Sequence, residues 1–485
     1  MEYSLYGHYI DGKHAGSKGK SIIDIVSPVD GGRIGQLSIG NSEDVNLAVE
    51  SAQNAFLKWS QTDVRKRADI LHNIRSLMKK HIDELAQLCT HENGKTVDES
   101  KAGIAKGIEL IEFAASLPHT IGGPNLEVSD GIECKMVRVP LGVTASITPF
   151  NFPVMVPMWS IPLTIGCGNT FILKPSEQVP LSAFRLAELF SEAGLPDGVF
   201  NIVNGTQEVV EALCDHPDIQ ALSFVGSTRV AEIVYTRACA NGKRALSLGG
   251  AKNHVVAMED ADIDITAHDV VNSSMGAAGQ RCMAVHALIC VGNADPLIDR
   301  VVGLAKKIRT GVDMGAIISQ SSVERITGII DDAEKAGAKV LLDGRHVRVK
   351  GKENGFYVGP TILDNVTPEM PCGCEEIFGP VLSIMRVGTM EEALAIENRN
   401  HYGNAASVFT SNGRTAREFE LRSNAGMIGI NIGIPVPREP FSFGGWNKSA
   451  FGPGDLTGTG GIEFWTKRKK ITSKWFLKKA RHWLD

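Results

Sequence analysis

Phe171-Ile172-Leu173-Lys174-Pro175, read with the residues after it, decides the fold. A short apolar run closed by proline predicts a buried strand. Residues 182–193 then carry a helical pattern that stops at Gly194, and Val199-Phe200-Asn201-Ile202-Val203 is the next strand. Working outward, Val143-Thr144-Ala145-Ser146-Ile147 precedes this unit and Ala221-Leu222-Ser223-Phe224-Val225 follows it. Strands alternating with helices predict a parallel, doubly wound α/β sheet. Upstream, residues 41–118 read mainly as helices. Ser42-Glu43-Asp44-Val45 is a helix start, and Ala48, Ala52 and Phe56 continue its apolar face. Downstream, residues 248–440 repeat the alternation, for example at Ala287-Leu288-Ile289-Cys290-Val291, and predict a second α/β domain. Glu133-Cys134-Lys135-Met136-Val137-Arg138-Val139 alternates like a half-exposed strand, and Lys470-Ile471-Thr472-Ser473-Lys474-Trp475 is its candidate partner. An exposed ribbon of this kind invites pairing with another subunit.

A chain of 485 residues, 43% hydrophobic, can bury a core for two or more domains. With 50 basic and 55 acidic residues, a general nucleic-acid or membrane-surface binder is not expected. The basic block Lys467-Arg468-Lys469-Lys470 reads as a solvated strand face. There is no run of about 18 apolar residues, so no membrane span is expected. Met1-Glu2-Tyr3-Ser4 lacks the charged and apolar regions of a secretory signal, and the expected location is cytoplasmic. The irregular spacing of nine cysteines suits a reducing compartment with mostly buried thiols. Cys372-Gly373-Cys374 lacks the second pair that would complete a zinc site, and no metal is expected.

Lys174-Pro175-Ser176-Glu177 closes a strand. A lysine and a carboxylate there offer ribose hydroxyls one donor and one acceptor, and the carboxylate would repel a 2′-phosphate, favouring NAD over NADP. A surface turn can have the same composition. Phe224-Val225-Gly226-Ser227-Thr228 runs from a strand into helix-like residues; Gly226 permits a tight turn, and the next N–H groups can meet a pyrophosphate. The two turns point together to a dinucleotide. The expected division is a dinucleotide-binding domain of residues 1–121 and 141–247, a catalytic domain of 248–440, and an oligomerisation arm of 122–140 and 467–485.

Cys282 sits in Gly279-Gln280-Arg281-Cys282, after Ser273-Ser274-Met275-Gly276-Ala277-Ala278. The small residues would let substrate and cofactor approach closely. Arg281 can stabilise a thiolate or hold an anion. A thiolate adding to an aldehyde forms a thiohemiacetal, whose loss of hydride to nicotinamide leaves a thioester. The oxyanion needs donors, and the Asn151 amide and the Cys282 backbone N–H are the candidates, although Asn151 also suits a plain turn.

Taken in order, these stretches resemble the aldehyde dehydrogenase superfamily over nearly the whole chain. Thr148-Pro149-Phe150-Asn151-Phe152-Pro153, Leu248-Gly249-Gly250, Glu375-Glu376-Ile377-Phe378-Gly379-Pro380 and Phe441-Ser442-Phe443-Gly444-Gly445 complete the match. The resemblance implies that family's fold, a Rossmann-like cofactor domain with an α/β catalytic domain and a small oligomerisation ribbon, assembled as a homodimer or homotetramer. It also implies Cys282 as nucleophile and Asn151 as oxyanion donor. Lys174 and Glu177 would meet the adenosine ribose, Ser227 the pyrophosphate, Glu376 the nicotinamide ribose, and Phe378 would lie beside the nicotinamide ring. Thr148, Phe150, Ser176, Gly226 and Gly249 fall in the same cofactor-binding motifs.

Two departures refine this expectation. In the hydrolytic families a glutamate before Leu-Gly-Gly activates the deacylating water; here Ser247 stands there and cannot act as a base near neutral pH. A thiol such as coenzyme A needs less help than water. The surrounding residues are similar to the methylmalonate/malonate-semialdehyde dehydrogenase, CoA-acylating, branch, where Arg281 would bind the substrate carboxylate. That branch's second arginine is matched by Lys106, which keeps the charge but loses the planar fork, leaving the exact anion open. The other departure is Ala231, where the family usually has glycine. His254 reads as a packed histidine, His286 has no visible partner, and Arg438 reads as a surface-loop arginine, with reach to a substrate anion as the alternative. The leading expectation is an NAD-dependent, CoA-acylating oxidation of a small anionic semialdehyde. The alternatives are a hydrolytic dehydrogenase giving the free acid and an NAD-binding protein without activity.

Overall fold

Asn41 opens the first long helix, Ser42–Trp59, with a capping box that pairs it with Asp44. The computed structural model describes residues 4–475. Met1, Glu2 and Tyr3 of the expected signal-free start, and 476–485 of the expected arm, lie outside these residues. Four helices, Ser42–Trp59, Val64–Lys80, Ile82–Asn93 and Val97–Ala115, fill the stretch read as helical. They bury residues such as Leu71, Ile74, Met78 and Ile111 in one core with the first sheet.

Among the described residues the first sheet has eight strands. Its centre is five parallel strands in the spatial order Arg244–Leu248, Ile219–Val225, Val143–Ile147, Thr170–Lys174 and Phe200–Ile202. Ala450–Phe451 adds antiparallel to Arg244–Leu248, so the chain returns to this sheet after leaving it. Among the described residues the second sheet has seven strands, with Val285–Val291 and Asn253–Ala257 near its middle, and Lys339–Leu342 alone pairs antiparallel. Strands such as Val285–Val291, apolar apart from His286, are buried on both faces, as parallel sheets require. The expected ribbon forms: Thr466–Lys474 pairs antiparallel with Ile132–Pro140, with Lys470 opposite Met136. Lys467, Arg468, Lys469 and Lys470 are exposed on it. Among the described residues no helix is long and apolar enough to cross a membrane.

Candidate active site

The helix Ile263–Met275 ends in a tight turn, Gly276–Gly279, that delivers Cys282. Ala277 and Ala278 both have φ of 51° and Gly279 has 68°. Left-handed backbone costs a residue with a Cβ roughly 1–2 kcal/mol, and glycine almost nothing. A Cβ on Gly279 would also lie 2.0 Å from the Gly379 carbonyl oxygen. Gly279 is therefore demanded by the turn and by contact with Gly379, while Ala277 and Ala278 hold the left-handed conformation at that cost. Gly276 makes room for its neighbour, since a Cβ there would stand 2.5 Å from the Arg281 guanidinium.

The nucleophile's backbone is clamped. Asn253 Nδ2 donates to the carbonyls of Cys282 (2.8 Å) and Ala284 (2.9 Å). Asn404 Nδ2 donates to the same Cys282 carbonyl at 3.0 Å. Gln280 is tied through its side chain to Ala316 and Ile318. Asn151 Nδ2 donates to the Gln280 carbonyl at 3.0 Å, leaving its second amide N–H for another acceptor. The loop carrying Asn151 is itself held. Lys95 Nζ donates to the Asn151 carbonyl and lies 3.3 Å from the Phe152 ring centroid, and Asn93 Nδ2 donates to Phe150.

Two cavities meet at the sulfur. One, of about 500 Å³, is lined by Lys106, Phe152, Trp159, Arg281, Arg438 and Phe443 among others. The second, of about 480 Å³, is lined by Phe150, Asn151, Gly226, Ser227, Gly249, Glu376 and Phe378 among others. Among the described residues Cys282 alone lines both. The second cavity lies at the C-terminal ends of neighbouring parallel strands, the usual place for a dinucleotide in such sheets. Ser227 caps the helix Thr228–Ala240 without a side-chain bond to its first N–H groups, leaving them for a pyrophosphate. Gly250 keeps the neighbouring wall thin, since a Cβ there would stand 2.6 Å from Glu376 Oε2. These features fit NAD.

Desolvation pushes the Cys282 thiol up to about 12, and the Glu376 carboxylate adds to the rise. Lys95 is the cation that offsets it most; burial lowers Arg281, and the charges of Glu99, 3.6 Å away, and of Cys282 both oppose that fall, so the guanidinium attracts the thiolate as well as Glu99. Desolvation brings Lys95 down to about 7 and Glu376 up to about 7, Glu376 being partly held down by the Ala251 N–H, which it accepts at 3.1 Å. Burial opposes ionisation of Glu177, yet Lys174, 2.9 Å away, holds it below the usual carboxylate value. Burial brings His254 down to about 3, a packed neutral imidazole. His286, expected without a partner, accepts from the Asn253 N–H at 3.3 Å.

Thr148, Ser176 and Glu177 stand past the ends of adjacent strands, Lys174 is the last residue of its strand, and none of the four lines the cavity. Ser247 is fully buried, its hydroxyl has no hydrogen-bond partner, and it lines neither cavity. Ala231 is buried against the Phe224 cluster. Arg438 is exposed on its loop, as a surface-loop arginine should be, and it also lines the substrate-side cavity. Lys106 lines it too, but pairs with both Glu109 and Glu439 at 3.0 Å. Sequence reasoning missed Asn253, Asn404 and Glu99. Glu99 completes a capping box with Thr96 and accepts from Ala277 N. Thr96-Val97-Asp98-Glu99 carries the visible pattern for the cap, but nothing in it points to the distant turn.

A double-sheet frame with a clamped cysteine between a dinucleotide-type cavity and an aldehyde-sized one defines the aldehyde dehydrogenase family, and the chain belongs to it: the family model matches residues 14–471. Malonate-semialdehyde dehydrogenase 1 of Geobacillus thermodenitrificans is 44% identical over 96% of this chain and 98% of its own. The mitochondrial methylmalonate-semialdehyde/malonate-semialdehyde dehydrogenase, acylating, of Mus musculus is 42% identical over 96% of this chain and 89% of its own. Among solved structures, a Sinorhizobium meliloti 1021 protein assigned as a methylmalonate-semialdehyde dehydrogenase and complexed with NAD superposes with a TM-score of 0.96. It is 43% identical and the match covers 98% of this chain and 99% of that one.

Proposed function

We propose that this protein catalyses the NAD-dependent oxidation of a small anionic semialdehyde, of the malonate or methylmalonate type, to an acyl-CoA. One observation carries the reading. Cys282 joins the two cavities, while the place of the deacylating glutamate is taken by a buried Ser247 hydroxyl that reaches neither. The names of the relatives agree with it, one of them printed as acylating.

The chain's own residues divide the work. Cys282 Sγ adds to the aldehyde carbon, and the free N–H of Asn151 with the Cys282 N–H receives the oxyanion. NAD, when bound, supplies the acceptor for the hydride that leaves as the thiohemiacetal becomes a thioester. Ser227, Glu376 and Phe378 would hold it, with Lys174 and Glu177 at its adenosine end. Arg281 faces the substrate side. A CoA thiol then attacks the thioester carbon, the C–S bond to Cys282 breaks, and the sulfur recovers its proton. Substrate panels with CoA supplied or withheld test this. Acyl-CoA should be the product, and equal steady-state turnover without CoA would refute the acylating step.

Glu376, pushed to about 7, favours a second reading in which it activates water and free acid forms. Its hydrogen bond from Ala251 and its place among the cofactor-cavity residues weigh against this. Free acid at full rate, lost in Glu376→Gln with NAD still bound, would establish it. The nine free cysteines support a cytoplasmic location, and the exposed Leu126, Val128 and Trp475 on the ribbon support a homodimer or homotetramer.

A further inference from the structure

Among the described residues six charged side chains line the substrate-side cavity: Glu99, Glu109 and Glu439 against Lys106, Arg281 and Arg438. The signs balance, so net charge alone would not draw an anion into it. What matters is which cations are already engaged. Lys106 is held by two carboxylates, Glu109 and Glu439, each at 3.0 Å. The Glu439 side chain is only 12% exposed and that of Lys106 21%, so the pair is shielded from water and its attraction is strong. An ammonium with two carboxylates has little attraction left for a third. Arg281 has one long contact, 3.6 Å to Glu99, and Glu99 is also occupied by Ala277 N and Thr96. Arg438, one residue before Glu439 on the same loop, has no ion-pair partner among the described residues and lines the cavity.

We propose that the substrate anion is gripped by Arg281 and Arg438, and that Glu439 acts as a specificity-determining residue by withholding Lys106 from it. The inference rests on the anionic-semialdehyde reading given above. The geometry also explains how lysine is tolerated where a planar fork would be needed to bind a carboxylate in two-point fashion. In this site the lysine neutralises a neighbouring acid instead, and the fork is supplied by Arg438 from the late loop.

The test reads one quantity, the ratio of kcat/KM for malonate semialdehyde to that for propanal, in which losses common to both aldehydes cancel. Arg438→Met should lower the ratio about tenfold or more, the effect of removing a charged hydrogen bond. Glu439→Gln should raise it about threefold to tenfold by releasing Lys106, and adding Lys106→Met to that variant should remove the gain. An Arg438→Met ratio within about twofold of the parent, or a Glu439→Gln ratio below it, would overturn the inference. A parent protein that shows no preference for the anionic aldehyde would overturn the functional reading as well, and so is told apart from failure of the loop assignment alone.

Discussion

Asn253→Ala should unseat the nucleophile while leaving both cavities lined as before. The side chain serves three backbone groups: it donates to the Cys282 and Ala284 carbonyls and accepts from Ala405 N–H at 3.2 Å. Asn253 is only 4% exposed, so water cannot replace it. Alanine leaves the Cys282 carbonyl with Asn404, but strips this partner from Ala284 and Ala405. Each buried group so stripped costs about 1–3 kcal/mol, and two give roughly 2–6 kcal/mol. At about 2–4 °C per kcal/mol for a domain of this size, the apparent thermal midpoint should fall by about 5 °C or more. Catalysis should suffer separately. The Cys282 backbone, freed on one side, loses its aim, and a displacement near 1 Å is worth about 100-fold in rate. Differential scanning fluorimetry and single-turnover NADH formation read the two effects. Asn404→Ala is the comparison, since it removes only the shared bond to Cys282, an Asn253 contact at 3.4 Å and a Met283 sulfur contact. A midpoint within about 1 °C of the parent together with an unchanged single-turnover rate would refute the clamp.

Asn151→Ala should lower kcat by about 100- to 1,000-fold while iodoacetamide still alkylates Cys282, because the oxyanion loses a donor but the sulfur remains. If kcat stays within tenfold, Asn151 only braces Gln280. Since desolvation places the free-enzyme thiol at about 12, its thiolate fraction should climb about tenfold per pH unit from pH 7 to 10. Alkylation rates should follow that slope, and a plateau below pH 9 would show a thiolate already formed. Gly279→Ala should give inactive or insoluble protein, since its Cβ would stand 2.0 Å from Gly379 O at a φ of 68°. Ala278→Gly, which relieves a φ of 51°, should stay soluble and active; full activity in Gly279→Ala would contradict the turn.

What the sequence by itself determined is what short-range pattern can encode. A buried strand is five or so apolar residues between breakers, so Val143–Ile147 was legible to the residue, and alternation with helices implied parallel sheets. The start of the first helix was legible at Ser42-Glu43-Asp44-Val45, because a cap is a local pattern, although the capping residue is Asn41. The ribbon was legible because alternation over 133–139 reads as a half-exposed strand, and the segment containing Lys470 pairs with it. The motif around Cys282 was legible as chemistry. Only the tertiary structure decided which distant groups share a space. Asn253 and Asn404 meet at the Cys282 carbonyl although 151 residues separate them. Glu99 reaches a turn 178 residues away, and Ala450–Phe451 returns to the first sheet from beyond the second. Charge shows the same division. The sequence states that Lys106, Arg438 and Glu439 are charged, but a pair forms only where two chain segments are packed within a few ångströms, and Coulomb attraction falls with distance and with water between the partners. Packing therefore decided which cation is engaged and which is left to meet a substrate.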